Sequence, residues 1–235
     1  MNETIERLKR NGFVKSCRYI WYEIAAFVKR TLFSTYSQLG EDVVIDSILG
    51  NKSEGFYIDV GANDPIRFNN TARFYKKGWC GINIEPDIKK YKKLLKMRPR
   101  DINLNVGVST KTGFMTFYKF IPDTLSTFSI EERDNNIKMG YKMIDEIHVE
   151  TVTLSSIVST YANNRAIDFL TIDTEGNDLD VLKSYDWEHG PQPKLICLEI
   201  FQQQNGEIDG YLTSLGYVKK YDNGLNAIYV YSSSS

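Results

Sequence analysis

This chain of 235 residues is poor in cysteine and histidine and has no surplus of positive charge. Its three cysteines, Cys17, Cys80 and Cys197, are scattered and form no C-x-x-C pair. That excludes a disulfide framework and a zinc knuckle, and it fits a reducing cytoplasm. Lysine and arginine number 29 against 30 aspartates and glutamates, for a net charge of −1. A duplex nucleic-acid binder carries a basic excess, so no nucleic-acid partner is expected. No apolar run reaches the roughly 20 residues needed to span a bilayer. The opening residues are polar and charged and lack the apolar stretch of a signal peptide. The dinucleotide fingerprint G-x-G-x-x-G is also missing, which argues against a pyrophosphate-bearing cofactor.

What is present reads as one α/β domain with a small extension. Residues 1–34 are expected to form an N-terminal helical extension. Residues 35–235 form the main domain, with an insertion or lid at about 121–146. In the extension, Tyr19–Val28 is aromatic and apolar, is broken by Glu23, and is flanked by Arg7, Lys9, Arg10, Lys15, Arg18, Lys29 and Arg30. Such a helix suits a membrane surface or packing against the domain or a second copy of the chain. Ser37 is a candidate helix cap for residues 36–49. Strands are expected at Phe56–Val60, Cys80–Ile84, Ile102–Val108, Phe114–Phe120, Ile147–Thr153, Phe169–Asp173 and Leu195–Phe201. Helices are expected at Asn70–Lys77, Asp87–Met97, Leu154–Ala162, Leu179–Ser184 and Glu207–Leu215. Tyr217–Tyr221 and Ala227–Tyr231 flank Asp222-Asn-Gly224 as a terminal hairpin. Strands alternating with helices predict a mostly parallel, doubly wound sheet. A closing antiparallel hairpin is typical of methyltransferases.

The densest signal is Phe56-Tyr-Ile-Asp-Val-Gly-Ala-Asn-Asp64, followed about one helix later by Ile84-Glu85-Pro86. A buried strand, a glycine turn and an acid at the tip of the next strand build a nucleoside pocket in α/β sheets. Gly61 has no Cβ, so its backbone is free to approach a ligand closely. Glu85 is placed to accept hydrogen bonds from both ribose hydroxyls. The turn carries Asp59 and Asp64 and no second glycine, so it repels a pyrophosphate and favours a cofactor with a cationic head. S-adenosylmethionine has an ammonium, a sulfonium and a ribose.

More acids follow. Asp173, Glu175 and Asp178 lie at the end of the fourth core strand, and Glu199 lies near the end of the next. Ligands of open α/β sheets bind at those carboxyl ends. Methyl transfer to a neutral hydroxyl needs a base or a divalent ion. Asp173 and Glu199 could hold Mg²⁺ through oxygens; without metal, Asp173, Glu175 or His148 would take the proton. His189 reads as a loop residue. Amine-methylating enzymes often place [D/N]-P-P-[Y/F] after the fourth strand. Here Asp173-Thr-Glu-Gly176 stands there, which points to a hydroxyl acceptor.

Many short blocks in one order carry a family resemblance. They are Tyr36-Ser-Gln-Leu-Gly-Glu-Asp42, Phe56-Tyr-Ile-Asp-Val-Gly-Ala62, Asn70-Thr71, Gly78-Trp79, Ile82-Asn-Ile-Glu-Pro86, Leu125-Ser-Thr127, Ile167–Gly176 and Leu198-Glu199. Together they resemble the FkbM family of S-adenosylmethionine-dependent methyltransferases over roughly residues 36–231. The resemblance implies a Rossmann-like class I methyltransferase fold. It also implies O-methylation, commonly of sugars in polysaccharides, glycolipids or glycosylated natural products. It places Asp59, Gly61 and Asn63 around the methionine part of the cofactor, Glu85 at the ribose, and Asn105 to Val108, beginning Asn105-Val106, beside the adenine. Gln38 and Asp42 would close over the cofactor. Asp173, Glu175 and Glu199 would face the acceptor or a metal. Asp64 departs from the histidine or other polar residue that many relatives carry.

The leading reading is a sugar O-methyltransferase working on a glycan or its lipid-linked precursor, in the cytoplasm or peripherally at the inner membrane face. The alternatives are a nicotinamide-dependent sugar oxidoreductase and a non-catalytic glycan- or cofactor-binding scaffold. The expected partners are a sugar or glycan acceptor and, through residues 1–34, a membrane surface or a second copy of the chain.

Overall fold

The computed structural model describes residues 35–200 and 205–232. The expected N-terminal helices and their membrane or dimer contacts fall on residues 1–34, outside the described residues. Among the described residues no helix is long and apolar enough to cross a membrane.

The helices are α1 (Glu41–Ile48), α2 (Ala72–Lys77), α3 (Ile88–Met97), α4 (Ile130–Lys138), α5 (Leu154–Tyr161), α6 (Asp178–Lys183) and α7 (Asn205–Ser214). The strands are β1 (Phe56–Val60), β2 (Cys80–Ile84), β3 (Ile102–Leu104), β4 (Gly107–Val108), β5 (Gly113–Ile121), β6 (Lys142–Val152), β7 (Phe169–Ile172), β8 (Leu195–Glu199), β9 (Tyr217–Asp222) and β10 (Asn226–Tyr231). Seven strands form one sheet in the order β3-β2-β1-β7-β8-β10-β9. The first five run parallel, and β10 is antiparallel to both β8 and β9. This is the doubly wound sheet with a closing hairpin that the sequence predicts.

β1 is buried along its whole length, as a central parallel strand must be. Its alternate residues feed two cores. Phe56, Ile58 and Val60 pack with Ile82, Ile84, Leu170, Ile172, Ile196 and Leu198 on one face. Tyr57 packs with Phe74, Trp79, Phe169 and Leu195 on the other. Asp59 shares the parity of Tyr57, and it sits in a row of polar residues across the sheet, paired in register with Asn83 and Thr171. α1 is anchored through buried Glu41, which accepts hydrogen bonds from Asn223 and Asn226 beside the hairpin (both 2.8 Å).

Several boundaries differ from the sequence reading. Ser37 does not cap a helix over 36–49. Residues 37–40 form bends, and the helix starts at Glu41. The strand expected over Ile102–Val108 is two strands in different sheets, because the chain leaves the main sheet at Asn105. The strand expected to Phe201 ends at Glu199, and residues 201–204 lie outside the described residues.

The largest correction concerns residues 121–146. Polar composition reads there as an irregular insertion. The structure has a 3₁₀ turn at Asp123–Leu125, then α4, then the first part of β6. Ser129 caps α4 by accepting from the Glu132 amide. β6 pairs antiparallel with β5 and parallel with β4, making a second, three-stranded sheet. Its small core joins Phe117, Phe128 and Val149. Residues 142–146 of β6 are exposed on both faces, so no apolar/polar alternation marks the strand before Ile147. Ion pairs fasten this second sheet and its 3₁₀ turn to α3 and to the loop before α2. Lys119 meets Asp87, and Asp123 meets both Lys90 and Arg67.

Candidate active site

Strand register lines the site up. Val60 pairs with Ile84 and Ile172, and Ile172 pairs with Leu198. One step beyond each lie Glu85, Gly61, Asp173 and Glu199, side by side at the carboxyl edge of the sheet. Doubly wound folds bind ligands at that edge. Another open cleft of about 600 Å³, lined by Gly55, Phe56, Lys77, Cys80, Arg165 and Asp168, sits at the opposite ends of the strands. It holds none of these residues.

Gly61 has φ +86°, and a Cβ there would lie 1.9 Å from the Asp173 carbonyl oxygen. The glycine is therefore required by the neighbouring strand end rather than by a ligand. It lets the β1 and β7 turns pass within contact, which carries Asp173 up to the cofactor turn. The Gly61 and Ala62 amides donate to the Ile84 carbonyl, tying the turn to β2 (3.0 and 3.1 Å).

Asp59 is buried below this turn and accepts from Thr71 Oγ1 (2.7 Å) and Asn69 Nδ2 (3.2 Å). Burial pushes its carboxyl up to about 6, against the pull of those donors and of Arg98. Arg98, 1% exposed, organises the loop above. It donates to the Pro65 carbonyl, to Asn69 Oδ1, to Thr71 Oγ1 and to the Tyr57 hydroxyl, and it lies 3.6 Å from Asp101. Asp64 is structural. It accepts from the Ile66 and Arg67 amides and pairs with Lys93. Those contacts hold its carboxyl below the usual range despite partial burial.

Glu85 is buried, with one oxygen on the Asn63 amide and the other on the Asp87 amide (both 2.7 Å). Burial raises its carboxyl, with Lys90 and the two amides opposing. Each oxygen keeps a second lone pair. Asn63 sits at φ +48°, and its Oδ1 atom is buried with no hydrogen-bond partner. Asn105 donates to the Glu85 and Pro86 carbonyls (2.8 and 2.9 Å), closing the β2–β3 side, while half-buried Val106 packs on the core. Gln38 is exposed on the bend before α1. Asp42 is fully buried, and its carboxylate takes Thr35, Ser37 and the Tyr36 and Val43 amides. These hydrogen-bond partners of Asp42 all lie in its own loop and the first turn of α1.

On the other side of Gly61, Asp173, Glu175 and Glu199 bring one carboxylate oxygen each within 4.8 Å of one another. At that distance two ionised groups repel by on the order of 3 kcal/mol at an effective dielectric near 20. Desolvation of its carboxyl among the crowded strand ends, with the Asp178 and Asp59 charges, pushes Asp173 up to about 7, although the residue keeps an exposed edge. Asp173 is open to water, which screens part of this repulsion. Burial, the Asp173 and Asp178 charges and a hydrogen bond that Glu199 donates to Asp173 push Glu199 up, and burial with the Glu199, Asp173 and Asp178 charges pushes Glu175 up. Glu175 holds φ +52°, uncommon outside glycine, and its carbonyl accepts from Thr127 Oγ1 of the lid (2.7 Å). The charge of Glu132 on α4 reaches both Glu175 and Glu199.

His148 does not join this cluster. On β6 its neighbours Ile147 and Val149 face the lid core, so the exposed His148 ring points to the opposite face. Among the described residues no hydrogen bond or ion pair links it to the acids. His189 lies in an exposed turn against Asp186, as expected of a loop residue.

The sequence reading missed Arg98, Asn69, Thr127 and Glu132. Arg98 follows a lysine-rich helix and reads as another solvated charge. The signal that could have found it is the Arg98-Pro-Arg-Asp101 run, an arginine and an aspartate three apart at a helix end.

The FkbM methyltransferase domain family matches residues 59–219, well over half of the chain. No curated protein matches detectably. Among solved structures, the METTL16 MTase domain (crystal form 2) aligns with a TM-score of 0.50 at 9% identity, over 84% of this chain and 68% of that one. A shortened METTL16 MTase domain gives 0.49 at 9% identity, over 90% and 95%. A TehB-like SAM-dependent methyltransferase from Corynebacterium glutamicum gives 0.43 at 10%, over 91% and 99%. The first of these likenesses shows the fold alone; the family match goes further. This chain belongs to the FkbM methyltransferase domain family and has the fold of an S-adenosylmethionine-dependent methyltransferase.

Proposed function

We propose that this protein is an O-methyltransferase that uses S-adenosylmethionine to methylate a sugar hydroxyl of a glycan, polysaccharide or glycolipid precursor. The observation that carries it is the row Glu85, Gly61, Asp173, Glu199, in which a nucleoside-side acid and an acceptor-side acid cluster flank one turn. The residues fit this cofactor. The buried, unpartnered Asn63 Oδ1 and the ionisable Asp59 suit a cationic head, and Glu85 keeps lone pairs for a ribose. When bound, the cofactor supplies an electrophilic methyl group. Glu85 orients the ribose, Asn105 closes the adenine side, and Asp59 holds the Asn69–Thr71 loop in place. Asp173, raised toward neutrality and open to water, takes the hydroxyl proton on its carboxylate, since a base near the working pH is most effective. Work at the inner membrane face and contact through residues 1–34 belong to the same proposal.

The test is transfer from methyl-labelled S-adenosylmethionine to a panel of nucleotide sugars, lipid-linked sugars and polysaccharides. The expected product is an alkali-stable label that survives hydrolysis as a partially methylated sugar. Label in protein or nucleic acid alone, with none in sugar, would sink the reading.

A pH dependence follows from the raised acids. The ordinary aspartate value is about 3.9, and Asp59 and Asp173 lie at about 6 and about 7 in the folded chain. Raised acids favour the folded state when protonated. Their contribution is full below about pH 4 and is lost as pH rises through about 6 and 7. A cation needs them ionised. Affinity for S-adenosylmethionine is therefore expected to weaken roughly tenfold from pH 8 to pH 6, with proton release on binding near pH 7. Calorimetry in buffers of different ionisation heat measures that release. An affinity flat across this range, with no proton released, would remove these acids from the cationic end of the pocket.

A further inference from the structure

We infer that Asp173, Glu175 and Glu199 form a binding site for one divalent cation of the Mg²⁺, Mn²⁺ or Ca²⁺ kind at the acceptor side of the cofactor turn. Three carboxylate oxygens from two neighbouring strand ends converge within 4.8 Å. All the donors are oxygens, which selects hard cations over zinc or copper.

A cluster of acids alone would be weak grounds. A second observation lies behind it. Asp178 is 1% exposed, and one of its oxygens, Oδ2, is buried with no hydrogen-bond partner. The other oxygen accepts from the amide and hydroxyl of Thr174, the residue between Asp173 and Glu175 (3.0 and 2.9 Å). That fixes Asp178 against the loop that carries two of the three ligands. The Asp178 charge acts on all three of them. Glu199 Oε2 is likewise buried and unpaired. An unpaired buried carboxylate oxygen is costly, and here there are two. Nothing among the described residues supplies a cation here; the lysine whose charge reaches Asp173 is Lys90, already paired with Asp123. A divalent ion offsets the mutual repulsion and gives the Glu199 oxygen a partner.

The backbone is shaped to the same end. Glu175 is held at positive φ while the Thr127 hydroxyl grips its carbonyl, which ties the backbone that carries this ligand to the residues before α4. The lid thus tethers one ligand of the ion. Asp173 faces water, so the open coordination positions lie where an acceptor would enter. Here the inference rests on the O-methyl transfer reading. Two adjacent sugar hydroxyls can complete the coordination; the ion lowers the pKa of the one that reacts, and its proton passes to the Asp173 oxygen that does not ligate the ion. The acceptor class is then a vicinal diol rather than an isolated alcohol.

The test is a Mn²⁺ titration of the full, tag-free chain with bound S-adenosylhomocysteine, read by the electron paramagnetic resonance of free Mn²⁺. One saturable site is expected, with competition by Mg²⁺. Glu175→Gln and Glu199→Gln are each expected to weaken Mn²⁺ at least tenfold while affinity for S-adenosylhomocysteine changes by less than about threefold. Thermal unfolding supplies a second readout: Mn²⁺ raises Tm in the wild type and not in Glu199→Gln. No saturable site in wild type at millimolar Mn²⁺ overturns the inference, as does unchanged Mn²⁺ affinity in both variants. Titration of the cofactor product separates the two readings. Binding of S-adenosylhomocysteine with no saturable Mn²⁺ site leaves the methyltransferase reading standing and removes only the metal.

Discussion

Replacing Arg98 with alanine is expected to lower the unfolding free energy by about 3–5 kcal/mol, the cost of removing one partner from a buried charge network. The guanidinium is almost fully buried, and it organises five separate groups. Its Nε and Nη2 donate to the Pro65 carbonyl (3.0 and 2.6 Å), and Nη2 also reaches Asn69 Oδ1 (2.8 Å). Nη1 donates to Thr71 Oγ1 (3.0 Å) and the Tyr57 hydroxyl (3.2 Å), beside Asp101. Alanine leaves the Pro65 carbonyl without its donor and the buried Asp101 carboxylate without its cation. Asp101 is already raised by burial, with Arg98 among the groups opposing that rise. Thermal unfolding measures the loss. For a chain of this size about 2–4 °C accompanies each kcal/mol, so a fall in Tm of roughly 6–20 °C is expected. Arg98→Lys is not a rescue, because a single ammonium cannot serve the same fork of acceptors. The effect also reaches the site. Asn69 and Thr71 are the donors to Asp59, so the variant should bind cofactor less well even where it stays folded. A loss below about 1 kcal/mol would show that the loop is held by something else.

Arg98 also marks the limit of what could be read from the sequence. The sheet was legible because a strand buried on both faces must be nearly all apolar, and Phe56–Val60 and Phe169–Ile172 are so. The acids stood out for the converse reason. Asp59, Glu85 and Glu199 interrupt or end apolar runs, and a charge is rarely kept there without use or partner. The hydrogen-bond network was not legible, since Arg98, Pro65, Asn69 and Asp101 meet only through the fold. Gly61 was correctly marked as a place that excludes a side chain, yet the excluding atom belongs to Asp173 rather than to a ligand. A local pattern reports that space is tight, not what fills it. Residues 121–146 read as irregular because α4 and the start of β6 expose most of their surface, which blurs both the helical and the strand period. The lid contacts Thr127–Glu175 and Lys119–Asp87 join residues far apart in the chain, and no spacing rule reaches that far. His148 failed for a simpler reason. Strand parity decides which way it points, and its parity could be fixed only once Ile147 and Val149 were seen against the lid core.

Glu85→Ala should abolish measurable cofactor binding under conditions where the wild type is saturated. The argument begins with the two amides. The Glu85 carboxylate holds the Asn63 amide of the cofactor turn with one oxygen and the Asp87 amide at the start of α3 with the other. It therefore couples the β1 turn to the β2 turn and still presents two lone pairs to the pocket. Hydrogen bonds to a charged group contribute about 1.5–3 kcal/mol each. Losing two of them to a ribose costs about 3–6 kcal/mol, which is at least a hundredfold in Kd at 1.4 kcal/mol per tenfold. Release of the Asn63 backbone also frees the side chain whose Oδ1 lies unpartnered in the site, so the loss should exceed the ribose contribution alone. Glu85→Gln tests the mechanism. Its amide nitrogen cannot accept from either backbone N–H, so one of the two anchors must be lost although the shape is kept. It should fall between wild type and alanine. Calorimetric titration of S-adenosylhomocysteine, with thermal unfolding of each variant as the control for folding, measures both. If Glu85→Ala binds within threefold of wild type, the nucleoside lies elsewhere along the strand ends, and the roles given to Asn63 and Asn105 go with it. If binding is lost while the fold holds, the carboxyl edge between Gly61 and Glu85 is the cofactor pocket. Glu175 and Glu199, beyond Gly61, are then left for the acceptor.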